Sequence, residues 1–328
     1  MNGAMEILRI LGVILALRVS YICIRVLTPY LRSSKLHRYL KTKDGRPAWA
    51  LITGASSGIG KGFADQLASR GFNIVLHGRN PSKLERVKSE LQKRHPARDF
   101  RVLVADAEKC INTDHHPSKT VSVSFPAIAR SVADINLKIL INNAGNTIPR
   151  SAYETIDAYT AEELAENICL LAVFPTLMTA TLLPALLRGG EDEPGHVINV
   201  GTLAANGSPL LPTYAPCKAF LAASSVELAR EMKLDGRSVD VLGLRVGEVY
   251  GTAFDLPGPS FLVPDVEDVV GAALARVGCG RPVVIPYWPH ALQDALLRVL
   301  PDPVVDRLFC DELRRRRLEQ RAKAAKRL

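Results

Sequence analysis

Little in this chain points to a disulfide-linked or metal-binding protein. Its 328 residues hold six cysteines, Cys23, Cys110, Cys169, Cys217, Cys279 and Cys310, with no C-x-x-C pair and no metal-ligand spacing. Such scatter reads as free thiols in a reducing compartment. Adjacent His115 and His116 lack a well-spaced third ligand, and Asp114 and Pro117 beside them mark a solvated loop, so no metal is expected. No linker-like stretch divides Ala50 from Ile285, which favours one globular unit where length alone would allow two. The middle of the chain also lacks positive charge. The net charge is +9, yet residues 1–50 carry nine Lys/Arg against two Asp/Glu and residues 311–328 carry eight against three, leaving a weakly acidic body. That argues against a nucleic-acid partner. It leaves basic ends that suit an anionic membrane surface or serve solubility.

What is present starts with Ala48 to Gly60, Ala-Trp-Ala-Leu-Ile-Thr-Gly-Ala-Ser-Ser-Gly-Ile-Gly. Trp49–Thr53 reads as a short buried strand, and Gly54, Gly58 and Gly60 as a turn feeding a helix that begins near Lys61. Without a Cβ, glycine lets the backbone turn sharply and approach a pyrophosphate, whose charge is favoured by the free N–H groups of a helix N-terminus. Further on, a buried run ends in Asn142-Asn143-Ala144-Gly145, whose amides are costly in a core unless hydrogen-bonded. After a strand ending in Gly201-Thr202 comes Tyr214-Ala-Pro-Cys-Lys218, with the phenol and the ammonium on one helix face. A ketone that accepts hydride must also take a proton. A phenol with a pKa near 10 is a weak partner at pH 7 unless an ammonium lowers it.

These three motifs, in this order, resemble the short-chain dehydrogenase/reductase family, with its T-G-x-x-x-G-x-G, N-N-A-G and Y-x-x-x-K, and the likeness covers about Pro47 to Tyr287. It implies an α/β fold, a single Rossmann-like doubly wound parallel sheet with helices on both faces. It also implies that Thr53, Gly54, Ser56, Ser57, Gly58, Ile59, Gly60, Asn143, Ala144 and Gly145 line the dinucleotide. Tyr214 would donate the proton, Lys218 would lower its pKa and hold the nicotinamide ribose, and Asn167 would hold a water linking the lysine to solvent. At the end of the second strand stands Arg79, where an acid would take a ribose 2′-OH and an arginine a 2′-phosphate, so NADPH/NADP+ is the expected cofactor. Asp106 either touches the adenine edge or caps the following helix.

The chain departs from the family at two places. Gly201-Thr202 replaces the usual Ser-Ser, with Thr202 12 residues before Tyr214, so the carbonyl-binding hydroxyl is Thr202, with Ser208 or a water as alternatives. Val246-Gly247 stands where Pro-Gly is common, which alters the loop carrying Gly247, Val249 and Thr252 over the nicotinamide. Gly251–Pro264 reads as a substrate lid, and Thr160–Leu187 as a long helix interrupted near Pro175 and Pro184.

Residues Met5 to Leu31 are mostly apolar, but Arg9, Arg18 and Arg25 interrupt them. A clean span needs about 20 apolar residues, and a central arginine costs roughly 2.5–3.5 kcal/mol. An interfacial or tilted, snorkelling anchor is expected, with a helix packed on the body as the alternative. The flank Arg32, Lys35, Arg38, Lys41 and Lys43 would lie in the cytosol. Tyr287-Trp288-Pro289-His290 and Ala291–Leu300 would lie on a membrane, line an acyl channel or pack on the core, and Asp311–Leu328 forms a basic helix. The expected organisation is an anchor and flank over 1–46, a dinucleotide-binding catalytic domain over 47–287, and an apolar segment with a basic tail over 288–328.

The anchor, the loop near residue 54 and the Tyr-Trp-Pro-His segment resemble the membrane-bound branch of the family. That branch includes very-long-chain 3-oxoacyl-CoA reductases and type 12 17β-hydroxysteroid dehydrogenases. The resemblance implies NADPH-dependent reduction of a ketone on a hydrophobic substrate, 3-oxoacyl-CoA-like first, at the endoplasmic reticulum membrane with the catalytic domain facing the cytosol. Steroid or polyketide-type ketones, or a cofactor-binding scaffold without turnover, are the alternatives. The long fourth and fifth helices form a dimer face in many relatives, so a homodimer is compatible.

Overall fold

A computed structural model describes residues 2–42, 44–110, 123–146, 153–252, 256 and 258–325. His115 and His116 lie outside these, as does part of Gly251–Pro264. In chain order the elements are α1 (Asn2–Leu31), β1 (Ala48–Ile52), α2 (Gly58–Ser69), β2 (Asn73–Gly78), α3 (Pro81–Arg94), β3 (Phe100–Val104), α4 (Phe125–Ser131) and β4 (Asn136–Asn142). Then follow α5 (Ala161–Ile168), α6 (Phe174–Leu186), β5 (Gly195–Thr202), α7 (Tyr214–Leu234), β6 (Val239–Val246), α8 (Val266–Ala275), β7 (Val283–Val284), α9 (Trp288–Leu297) and α10 (Asp302–Ala325).

The strands form one seven-stranded sheet in the order β3-β2-β1-β4-β5-β6-β7, and every pairing is parallel. Parallel strands covered on both faces must be apolar on both, which is why β1 reads Ala-Trp-Ala-Leu-Ile and is buried throughout. Its alternate residues feed two cores. Ala50 and Ile52 pack with Phe63 and Leu67 of α2 and Val270 of α8, while Trp49 and Leu51 pack with Phe174 and Met178 of α6 and Met232 of α7. This is the doubly wound fold expected from the motifs. The winding reverses at β1 and β4, and such a switch point opens a crevice at the carboxyl ends of those strands.

The long helix expected over 160–187 is continuous through Pro184, and its only break is a π turn at Cys169–Val173. Pro175 has no N–H to return to the preceding turn, and the Phe174 N–H reaches back to the Cys169 carbonyl instead. The basic tail starts nine residues earlier than expected, at Asp302.

Helix α1, 30 residues and so about 45 Å long, meets the body at its C-terminal end. There Pro29 O accepts from Arg276 (2.8 Å) and Tyr30 Oη donates to Ile285 O (2.6 Å). The apolar stretch of the helix has a mean hydropathy of 2.1 and is wholly exposed, so only its C-terminal end rests on the body. Val13, Ile14, Leu15 and Leu17 are each more than half exposed, which makes it apolar on every face rather than along one stripe. Past it, Leu36 and Tyr39 enter the core, and the Tyr39 ring stacks on His196 at 4.9 Å.

Candidate active site

The glycine turn lies between β1 and α2. Added Cβ atoms would fall 2.9 Å from Ala144 Cα at Gly54 and 2.2 Å from Gly54 O at Gly60, so the loop closes on itself only with glycine at both positions. Gly58, with φ +51°, is less crowded: a Cβ there would make only ordinary contact with Gly251 and Thr252 at 3.8 Å, and its left-handed backbone is what calls for glycine. Ser57 caps α2 without a side-chain hydrogen bond. The turn therefore leaves helix N–H groups without a side-chain cap where a pyrophosphate would sit. Thr53 binds its far wall, its Oγ1 accepting from the N–H groups of Asn143 and Ala144 at 2.9 Å each, while Asn143 Nδ2 donates to Thr53 O at 3.0 Å. Asn142 donates to Thr179 Oγ1 (2.9 Å) and Asn199 Oδ1 (2.8 Å), so both amides are structural as well as adjacent to the crevice.

Arg79 follows β2 directly and pairs with Glu108 at 2.5 Å, and its side chain is 57% exposed. A 2′-phosphate would compete with that carboxylate for the guanidinium. Asp106 caps the next short helix, accepting from Glu108 N at 3.2 Å, which is the second of its two expected uses.

On the far side of the crevice, Tyr214 opens α7 and Lys218 lies one turn along, 4% exposed. Lys218 Nζ donates to Val200 O at 2.7 Å, and a Cβ on Gly145 would stand 3.1 Å from that nitrogen, so the fold brings the N-N-A-G and Y-x-x-x-K motifs together. Burial pushes the Lys218 ammonium down to a pKa of about 8. Burial raises the Tyr214 phenol, and the nearby Thr202 hydroxyl pulls it back down. Of the two hydroxyls the sequence left open, Thr202 is the one close enough to the phenol to influence it. The glycine before it has a steric cause, since a Cβ at Gly201 would sit 2.8 Å from Leu244 O on the neighbouring strand.

Asn167 is buried at the end of α5, beside the π turn. Its Nδ2 donates to Asn146 O (3.1 Å) and its Oδ1 accepts from Thr213 Oγ1 (2.7 Å), tying the N-N-A-G loop to the residue before Tyr214. Thr252 Oγ1 donates to Val249 O at 2.8 Å, bracing the loop beside Gly58.

Sequence reading missed one wall. The arginines of α10 return to the site: Arg316 pairs with Glu248 (2.5 Å), Arg317 Nε donates to Tyr153 O (2.7 Å), and Arg321 pairs with Glu154 (2.8 Å). Tyr153 lies near enough to Tyr214 to raise its pKa slightly. Its own φ of 67° is strained for a non-glycine residue. Much of the tail's positive charge is thereby matched by carboxylates, with Arg315 also set between Glu312 and Glu319 at 2.7 and 2.6 Å. No spacing in the sequence signals the pairs with Glu248 and Glu154, whereas Glu312, Arg315 and Glu319 stand at ordinary helical i,i+3 and i,i+4 spacing.

The family model for short chain dehydrogenases matches residues 48–255. A very-long-chain 3-oxoacyl-CoA reductase of Coprinopsis cinerea is 31% identical over 96% of this chain and 92% of its own length, and one of Eremothecium gossypii is 33% identical over 85% and 77%. Among solved structures, a Sphingobium yanoikuyae short-chain dehydrogenase in complex with NADPH is 25% identical, with TM-score 0.58 over 78% of this chain and 97% of that one. A 7β-hydroxysteroid dehydrogenase shares the fold with TM-score 0.66 at 20% identity, over 81% and 98%. The chain belongs to the short-chain dehydrogenase/reductase family and is an oxidoreductase.

Proposed function

We propose that this protein reduces the 3-oxo group of long-chain 3-oxoacyl-CoA at the endoplasmic reticulum membrane, its catalytic body facing the cytosol. The cofactor is NADP(H). Residues Thr53 to Gly60 and Asn143 to Gly145 would hold its pyrophosphate and ribose, Arg79 its 2′-phosphate, and Gly247, Val249 and Thr252 its nicotinamide end. When bound, it supplies the hydride that forms the new C–H bond at the carbonyl carbon. Tyr214 then gives its proton to the carbonyl oxygen as the C=O π bond becomes an O–H bond, and solvent restores the proton. Thr202 hydrogen-bonds the same oxygen. Lys218, turned to Val200 here, holds positive charge near the phenolate, and Asn167 fixes the turn before Tyr214.

The observation that carries the reading is Tyr214 at the start of α7, one turn before the buried Lys218 and beside the crevice. Burial raises the phenol, the opposite of the lowering expected from Lys218, so the hydroxyl keeps its proton until a carbonyl oxygen takes it. The acyl-CoA assignment rests on relatives of that name matching most of both chains. Support for the membrane comes from α1, apolar all round and docked only at its end, which suits a tilted span whose arginines snorkel to the headgroups. Consumption of NADPH by detergent-solubilised protein, followed with 3-oxoacyl-CoA of rising chain length, tests the reading. Turnover that rises with length is expected, whereas turnover on steroid ketones alone, or tight NADPH binding without any turnover, contradicts it.

A further inference from the structure

The segment Tyr287-Trp288-Pro289-His290 has no part in the chemistry above, yet His290 is 0% exposed. Its ring lies between two loops. Nδ1 accepts from the Gly247 N–H at 3.2 Å, and Nε2 stands 3.1 Å from the Leu262 carbonyl, so the two partners together select the neutral tautomer with the proton on Nε2. Burial lowers the pKa of the ring, in keeping with that neutral form. A Cβ at Gly247 would fall 2.8 Å from the ring atoms, so the backbone there is seated directly on the imidazole. Neighbouring contacts repeat the link. Tyr287 packs edge-on to His290 at 5.1 Å, and its Oη donates to Phe261 O at 3.4 Å. Arg245, two residues before Gly247, pairs with Asp294 on the same helix as His290 at 3.3 Å.

Gly247 is also where this chain carries Val246 in place of a family proline. Val246 keeps its place as the last residue of β6, in register with Thr202, but does not fix φ at that position as a proline would. We propose that His290 is a positioning residue for the nicotinamide end of the cofactor: by joining Gly247 N–H to Leu262 C=O it fixes the loop after β6 against the lid turn. This rests on the reading that Gly247, Val249 and Thr252 line that end of the cofactor.

The test uses the full chain in detergent, with NADPH and with 2′-phospho-ADP-ribose, which lacks the nicotinamide, as probes. His290→Leu removes both bonds, His290→Asn keeps at most one, and His290→Gln can accept and donate as the imidazole does. His290→Leu should weaken NADPH about tenfold and lower kcat while the fragment binds within about twofold of wild type, and His290→Gln should restore both. If His290→Leu does not fold, His290→Asn should show the same split to a smaller degree. Wild-type NADPH affinity and kcat in the folded variant, or equal losses for NADPH and fragment, would overturn the proposal. Wild-type protein that binds neither probe would overturn the cofactor reading beneath it as well.

Discussion

Two lysines are buried among the described residues, at opposite ends of the sheet. Lys138, near the start of β4, donates to the Glu193 carboxylate at 2.7 Å and to its carbonyl at 3.1 Å. Lys218, beside the carboxyl end of β5, donates to a lone carbonyl, that of Val200. A carboxylate compensates the buried ammonium in the first case. In the second, burial is left to depress the pKa to about 8. The lesson is that burial alone does not mark a functional lysine. An ammonium sealed by a carboxylate is a brace at the stable end of an α/β sheet, whereas one held by a neutral acceptor beside a phenol is poised to act.

Removing each lysine should separate these roles most widely. Lys218→Met should lower kcat by about a thousandfold while the melting temperature stays at or above the wild-type value, because a desolvated charge is lost with it. Lys138→Met should do the reverse. It takes the ammonium away from the buried Glu193 carboxylate and should cost about 3–5 kcal/mol in denaturant melts, with kcat per folded molecule unchanged, and adding Glu193→Leu should recover most of the loss.

A smaller effect concerns the hydroxyl that faces the phenol. Thr202→Val should lose about a hundredfold in kcat, while Thr202→Ser should stay within a few-fold of wild type. A Thr202→Val enzyme with full activity would hand the carbonyl to another donor, Ser208 included.

The pH dependence sharpens the comparison last. Reduction should hold steady below about pH 8 and decline by about tenfold per unit above it, as Lys218 loses its charge. Stability runs the other way. The folded pKa lies below the unfolded value of 10.5, so the penalty of burying the ammonium, about 3 kcal/mol, is full below pH 8. Between about 8 and 10.5 the unfolded chain binds more protons, and stability should rise with pH. Calorimetry of wild type against Lys218→Met isolates that slope.

How far the sequence carries the reader follows the same divide. The glycine spacing at 54, 58 and 60, the paired amides at 142 and 143, and the tyrosine and lysine one turn apart are local patterns, and each folds into the place its spacing implies. The sheet order follows from parallel strands joined by helices. Pro184 misled because it stands near the helix end on an exposed face, where the Ala180 carbonyl left without a helical donor can turn to water. Pro175 did mark a break, expressed as a π turn rather than an end. What stayed illegible is long-range. Arg316 finds Glu248 across 68 residues, and His290 finds Gly247 across 43. No period or composition announces such pairs, so the tail read as a free basic helix and His290 as one of several apolar-segment residues.

The most direct measurement pairs turnover with binding in Tyr214→Phe. NADPH titrated by fluorescence and oxidised in the presence of a long-chain 3-oxoacyl-CoA should show wild-type affinity with kcat reduced by about a thousandfold. A variant that still reduces the acyl-CoA at the wild-type rate would contradict the account, because the proton would then come from a group other than the phenol beside Thr202 and Lys218.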